Sequence, residues 1–366
     1  MGRTTDTKKV LADRGANWVE EDGRAFVDHF GDADAEYAAI VDGKPGLMER
    51  GERETLVIHG DDAVSWLQGL VTSDIHQLVD EGNGQRTTMV NTTGRFVGEA
   101  RLLHIPELLL LDLEPGTLGG GLLSHLRRQI ITEKVTLSDQ SEATGRITLF
   151  GAQIPKVLSS LTDWAHQLDS RPLSYGTWGS WKNEDLIVQK TAWTDIPTFD
   201  LFASAETIGP LIEAIEEIAE DLTLLGNQAF ETLRIEAGVP RFGVELHDKV
   251  IPLEAGFHDA IAFEKGCYLG QEIIARLDPL GTPANLLRRV ILQGSQVPEK
   301  GTPVHKEDGE GRKIGDVQSA IYSPKFEAPV ALAFVKRKHN DVGGSVSIGG
   351  ERGEIREIWE GEVERG

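Results

Sequence analysis

The chain has 366 residues, enough for two or three domains with cores of their own. Its 59 acidic against 37 basic residues leave a formal charge of −22, spread along the chain as a solvated surface, and no basic stripe exists to displace counterions from a nucleic acid. One cysteine excludes an intramolecular disulfide, and with no run of about 18 apolar residues the sequence reads as a soluble, cytoplasmic protein without membrane contact.

Periodicity predicts an internal repeat. Residues 1–50 read as an acidic, glycine-rich arm with one helix over Ala33–Val41. A first α+β domain over 51–143 then runs Thr55–His59 (strand), Asp61–Asp74 (helix), Arg86–Asn91, Glu99–Ile105 and Leu108–Leu113 (strands), Leu118–Ile130 (helix) and Val135–Ser138 (strand). The second, over 144–284, repeats the order. It has strand Arg146–Phe150, helix Ile154–Leu168, strands Leu173–Trp178, Leu186–Thr191 and Thr198–Phe202, helix Glu206–Leu222 and a short strand near Leu224. Each copy is β-α-β-β-β-α-β, an α+β pattern with helices on one face of a largely antiparallel sheet.

Past residue 226 the pattern changes. Asn227–Ala237 reads as a helix with Asn227 as cap and Gly238 as its end. A loop-rich passage with Pro240 and Pro252 leads to a helix near Cys267, which Pro279, Gly281 and Pro283 break. From 285 to 366 come short strands between glycine turns: Arg288–Leu292, Lys313–Ala320, Ala331–Val335, Ser345–Ile348 and Glu354–Trp359. Such spacing suits a small antiparallel barrel.

The lone thiol lies in Lys265-Gly266-Cys267-Tyr268-Leu269-Gly270-Gln271-Glu272. Beside a lysine, and before the apolar-periodic Ile273, Ile274 and Leu277, Cys267 suits a helix N-terminus. There the helix dipole and Lys265 would both favour thiolate. The alternative is a small buried hydrophobe.

Upstream stand Arg234-Ile235-Glu236-Ala237-Gly238, Gly243-Val244-Glu245-Leu246 and Ile251-Pro252-Leu253-Glu254-Ala255-Gly256. In this order and spacing the four motifs resemble the YgfZ proteins, folate-binding relatives of the T-protein (aminomethyltransferase) of the glycine cleavage system. Gly60-Asp61-Asp62-Ala63 with Thr72-Ser73-Asp74 resembles that family's N-terminal region, and Ile314-Gly315-Asp316-Val317 its barrel. The resemblance implies two ferredoxin-like halves and a C-terminal barrel, three domains around a central folate cavity, with the pterin of tetrahydrofolate inside and its glutamyl tail pointing out.

Residue roles follow from the same resemblance. Thr198-Phe199-Asp200-Leu201 matches a strand whose glutamate accepts the aminopyrimidine N–H groups, so Asp200 is the candidate pterin acceptor, one methylene shorter. Asn91, before Thr92-Thr93-Gly94, matches an asparagine that could contact folate; turn chemistry is its other reading. Arg234 could pair with Asp200 or the folate tail, or equally with Glu231 or Glu236 around its helix. Glu236 and Glu254 read as loop braces, and Arg95 and Arg288 are guesses for the tail's exit.

One departure bears on the reaction. Aminomethyltransferases carry a Gly-Gly-x-x-Asp-Asp-like run whose first aspartate handles proton transfer, and aligned on Asn91 that position is Gly98. General acid–base help, worth about 10²–10⁴-fold, is then missing, unless Glu99 or Asp112 supplies it. Scattered histidines and one cysteine argue against a metal site within the chain; a Cys–His enzyme using His258 or His247 is a minor alternative.

The YgfZ resemblance implies a folate-binding protein that supports assembly or repair of iron–sulfur clusters, including those of tRNA-modifying enzymes. Cys267, assisted by Lys265, would be its functional thiol, and iron–sulfur proteins or their assembly factors its partners. The alternative is a tetrahydrofolate-dependent aminomethyltransferase. The carboxylate excess, with arginine outnumbering lysine, reads as adaptation to high salt, since at about 1 M the Debye length is about 3 Å and self-repulsion is screened.

Overall fold

The computed structural model describes residues 4–21, 23–81, 84–105, 108–162, 176–280, 283–307 and 311–358. The N-terminal region holds more than the expected single helix. Helix α1 (Thr5–Ala12) is followed by a hairpin of β1 (Asn17–Glu21) and β2 (Arg24–His29), then α2 (Ala33–Val41) and β3 (Gly46–Glu49). Helix α2 falls where the sequence predicts it because Asp32 caps it, its Oδ1 accepting the N–H groups of Asp34 and Ala35.

The first half runs β4 (Glu54–His59), α3 (Ala63–Gln68), α4 (Ile75–Glu81), β5 (Gly84–Val90), β6 (Phe96–Ile105), β7 (Leu108–Leu113), a π-type turn (Leu118–Leu122), α5 (Leu123–Arg127) and β8 (Thr136–Asp139). Both predicted helices are interrupted. The 61–74 helix ends at Gln68 and restarts after Asp74, whose Oδ1 accepts the His76 N–H and the Gln68 amide. The 118–130 helix is interrupted at Gly121, whose φ of 126° no helix allows. The five strands lie in the order β5-β6-β7-β4-β8.

The second half runs β9 (Thr144–Phe150), α6 (Ile154–Leu161), β10 (Gly176–Trp181), β11 (Glu184–Thr191), β12 (Thr198–Ser204), α7 (Ile208–Ile218) and β13 (Thr223–Leu224). Helix α6 starts at Ile154 as predicted, while the end predicted for it (Leu168) and the start predicted for β10 (Leu173) lie outside the described residues. Its sheet has six strands, β10-β11-β12-β9-β3-β13, so the N-terminal β3 lies between β9 and β13. One face of this sheet is apolar. Leu47, Ile147, Leu149, Leu186, Val188, Phe199 and Leu201 pack with Ile154 and Leu158 of α6 and Leu211, Ile212 and Ile215 of α7, each such side chain contributing about 1.5–3 kcal/mol when fully buried.

Helix α8 (Asn227–Ala237) ends at Gly238, with φ 78°. Helix α9 (Gln271–Leu280) starts four residues beyond Cys267 and includes Pro279; Gly281 lies outside the described residues. Strands β14 (Asn285–Leu292), β15 (Pro303–Lys306), β16 (Lys313–Ser323), β17 (Ala328–Lys336), β18 (Ser345–Ile348) and β19 (Glu351–Arg356) close a barrel in the order β14-β17-β16-β15-β18-β19, filled by Val290, Ile314, Val335, Val346 and Ile355 among others. The sequence reading missed β15, four residues that start at a proline. The fold is therefore α+β, two ferredoxin-like halves and a C-terminal antiparallel barrel. Its contacts form two compact units, one of residues 1–68, 74–87 and 100–230, the other of 69–73, 88–99 and 231–366.

Candidate ligand and thiol sites

In the first unit, the face of the second sheet opposite its apolar core is polar and buried. The registers place Met48, Thr148, Asp200 and Gln189 side by side across β3, β9, β12 and β11, and the pleat turns all four the same way. Two residues along β9, Arg146 shares this face. The first sheet packs against it through Leu103 and Leu110, which meet Phe202.

Asp200 is fully buried here, and its carboxylate accepts from Thr148 Oγ1 (2.5 Å) and Trp193 Nε1 (3.0 Å). A carboxylate has about four lone-pair directions, so acceptor capacity remains. The Trp193 ring lies between cations: the guanidinium carbons of Arg101, Arg53 and Arg50 sit 3.3, 4.6 and 5.0 Å from its centre. Arg53 chelates Asp112 through Nε (2.9 Å) and Nη2 (3.0 Å), and Arg146 Nη1 bonds the same carboxylate. Asp112 is thus committed to two arginines and is no substitute for a proton-transferring carboxylate.

Burial strongly disfavours the charge on Arg53, yet Asp112 and Glu114 outweigh it and hold its pKa up. Arg146 goes the other way. Burial pulls its pKa down to about 10 and Arg53 and Arg50 add to this, against the counter-pull of Asp112. Three buried donors, Arg146 Nε and Nη2 and Arg50 Nη1, have no hydrogen-bond partner among the described residues. The sequence reading overlooked Arg50, Arg53, Arg101, Arg146 and Trp193. The available signal was a charge inside an apolar strand, as in Leu108–Leu113, because such charges are buried only with partners.

The remaining predicted residues lie in the second unit. Asn91 Oδ1 accepts the N–H groups of Thr93 (2.9 Å) and Arg95 (3.2 Å) and the Thr93 hydroxyl (2.7 Å), an Asx turn. The Lys-Gly-Cys loop packs directly on this turn. A Cβ on Gly270 would lie 2.5 Å from the Asn91 carbonyl oxygen, and one on Gly94 would lie 3.0 Å from Ile273, so both positions need glycine. Residues 69–73 fix the other side of the loop: Leu269 N–H bonds the Gly69 carbonyl (3.0 Å) and Ala262 N–H that of Thr72 (2.9 Å).

Within that loop, Cys267 is exposed while Lys265 is buried. The Lys265 ammonium donates to the carbonyls of Val71 and Ser73, each at 2.7 Å, and lies 5.0 Å from the Tyr268 ring centre. Its charge is thereby spent in good part on anchoring the loop.

Arg234 is fully buried and bonds Glu231, Glu245 and the Val239 carbonyl. Burial opposes its charge, but Glu231 and Glu245 prevail and hold its pKa up. It braces the end of α8, the structural alternative given by its sequence. Glu236 accepts from Ser323 Oγ, and Glu254 from Ile251 N–H (3.1 Å) and Asn285 Nδ2 (3.1 Å), both as braces. Arg95 and Arg288 donate to the backbone carbonyls of Lys249 and Asn340. Among the described residues no group of three or more His, Cys, Asp or Glu could hold a metal ion, and no helix is long and apolar enough to cross a membrane.

A doubled α+β module with ions buried between its sheets, followed by a closed barrel, is the architecture of a known class. The GCVT N-terminal domain model matches residues 7–265, and that of the glycine cleavage T-protein C-terminal barrel domain matches residues 287–357. The chain belongs to this glycine cleavage T-protein family. It is 29% identical over 357 residues to an aminomethyltransferase of Geobacillus kaustophilus, covering 95% of this chain and 94% of that one. An aminomethyltransferase of Streptomyces avermitilis is 27% identical over 304 residues, 82% and 80% of the two chains. The crystal structure of glycine cleavage system aminomethyltransferase T from Bartonella henselae shares the fold, with a TM-score of 0.84 over 98% of both chains at 16% identity.

Proposed function

We propose that this chain is a tetrahydrofolate-binding member of the family of the YgfZ type, acting in the cytoplasm to support assembly or repair of iron–sulfur clusters through Cys267. The observation that carries this reading is the thiol's setting: exposed, on a loop locked to the Asn91 turn by Gly94 and Gly270. Beside it, Gly98 stands at the position aligned with the transferase aspartate and Asp112 is held by two arginines, which leaves Glu99 as the one carboxylate for the second reading. An exposed thiol is free to contact a cluster, a redox partner or a client protein. A source adapted to high salt accords with the charge of −22.

Tetrahydrofolate fits the buried polar face. The aminopyrimidinone edge of a pterin presents both N–H donors and a carbonyl acceptor. Asp200 has acceptor capacity left, and Arg50 and Arg146 have three N–H groups without partners among the described residues. Asp200 would hold the pterin and the two arginines its oxygen, each pairing favoured because an unmet buried polar group costs about 1–3 kcal/mol. When bound, tetrahydrofolate supplies a reduced carrier of one-carbon units.

Deleting the gene and restoring it as wild type, Cys267→Ser or Asp200→Ala tests the reading. Activity of iron–sulfur enzymes and thiomethylated tRNA should be recovered by wild type and not by Cys267→Ser, whose stability should stay within about 0.5 kcal/mol of wild type because the residue is exposed. Full rescue by Cys267→Ser would remove the thiol from the mechanism. The second reading, an aminomethyltransferase, is favoured by the names of the relatives. Turnover of an aminomethylated carrier protein that disappears in Glu99→Gln would establish it.

A further inference from the structure

Trp193 has a carboxylate at its N–H edge and arginines over its ring, all within the first unit. Nε1 donates to Asp200 Oδ2 (3.0 Å), while Arg101, Arg53 and Arg50 bring their guanidinium carbons to 3.3, 4.6 and 5.0 Å from the ring centre. The indole is buried and held in place. Its backbone N–H donates to Thr198 Oγ1 (3.2 Å), that hydroxyl donates to the Thr191 carbonyl (2.8 Å), and the ring meets Phe230 edge-on at 6.2 Å.

An arginine beside a buried carboxylate ordinarily pairs with it, since a charge-assisted hydrogen bond is about twice as strong as a neutral one. Asp112 shows that outcome, chelated by Arg53 and bonded by Arg146. Asp200 interacts with the charges of these same two arginines, yet among the described residues its hydrogen bonds come from Thr148 and Trp193. Donors for a second ion pair are at hand, because Arg50 Nη1 and Arg146 Nε and Nη2 have no hydrogen-bond partner among the described residues. What keeps Asp200 out of such a pair is a rigid aromatic ring that takes the arginines on its face and offers the carboxylate a neutral donor.

We propose that Trp193 is the positioning residue of the Asp200 site, holding the arginines off the carboxylate so that Asp200 stays open to a ligand with paired N–H groups. The identity of that ligand, though not the positioning, rests on the folate reading above.

Two substitutions separate the ring from its N–H: Trp193→Phe keeps a ring under the arginines, and Trp193→Leu removes both. Calorimetric titration with tetrahydrofolate should find Trp193→Phe within about ten-fold of wild type. Trp193→Leu should bind at least about a hundred-fold more weakly, because the ligand must displace an ion pair. The crystal structure of ligand-free Trp193→Leu should show a guanidinium hydrogen-bonded to Asp200, and that of Trp193→Phe should not. Trp193→Met carries the same expectations if the leucine variant does not fold. Arginines that stay in place in the leucine or methionine variant, or an equal loss of affinity in the two kinds of variant, would overturn the positioning role and leave the folate reading intact. An Asp200–arginine pair in Trp193→Leu, with no binding of tetrahydrofolate even by wild type, would uphold the positioning role and remove folate as the ligand.

Discussion

The two halves of the repeat follow one strand order and bury one aspartate each on equivalent strands, yet they treat that aspartate differently. In the first half β8 pairs with β4, so every strand of the sheet comes from the half itself. In the second, β3 from the N-terminal region takes the place beside β9 and displaces β13 outward, where it pairs with β3 in parallel. The borrowed strand leads directly into Arg50, whose N–H bonds the Arg146 carbonyl (2.9 Å) and whose guanidinium reaches Trp193 and Phe230. Asp112 of β7 is neutralised by two arginines, whereas among the described residues Asp200 of β12 is hydrogen-bonded by the neutral donors Thr148 and Trp193 and meets Arg53 and Arg146 through charge alone. One copy commits its buried carboxylate to ion pairs; the other keeps acceptor capacity.

The sharpest way to break this comparison is to remove the first aspartate. Asp112→Ala leaves Arg53 and Arg146 buried without their shared partner and should cost about 3–5 kcal/mol, read as a lowered urea midpoint. A loss below about 1 kcal/mol would mean that the arginines are compensated elsewhere and that the contrast with Asp200 is misdrawn.

The borrowed strand comes next. A Cβ on Gly46 would lie 2.5 Å from Ile40 Cδ1, 2.8 Å from Leu225 Cδ1 and 3.2 Å from Phe150 Cβ. Gly46→Val should therefore cost about 1–3 kcal/mol by overpacking. Thr136→Val on the exposed start of β8 should stay within about 0.5 kcal/mol. Equal effects at the two positions would deny β3 its special place.

A smaller loss than that of Gly46→Val is expected of Asp200→Asn. An amide can still accept from Thr148 or Trp193, so the loss should be about 1 kcal/mol, while tetrahydrofolate affinity measured on the same sample should fall much further. A stability loss as large as that of Asp112→Ala would make Asp200 another structural ion, and the functional contrast between the halves would vanish.

Much of this was legible in one dimension. Helix α2, strand β7 and helix α8 begin and end where caps, glycines and apolar runs put them, and the motifs around Arg234 and Cys267 carry the family resemblance. The breaks in the helices predicted over 61–74 and 118–130 were less legible. A glycine within a helical pattern is usually tolerated, and only the backbone shows that Gly121 takes a positive φ. Of the residues read from motifs, Asp200 is buried among polar partners, and Arg234 bonds Glu231, one of the two pairings its sequence offers.

The sequence by itself determined which faces are apolar, since strand and helix periods are local, and it determined the doubled module, the barrel and the lone thiol. It could not decide that β3 joins a sheet whose other strands lie about 100 to 180 residues on, because strand pairing is a long-range choice among similar edges. Nor could it decide which buried charges neutralise one another. Arg50, Arg53, Asp112 and Arg146 are scattered along the chain, and only the packing of the two sheets brings their charges within hydrogen-bonding distance or into mutual repulsion.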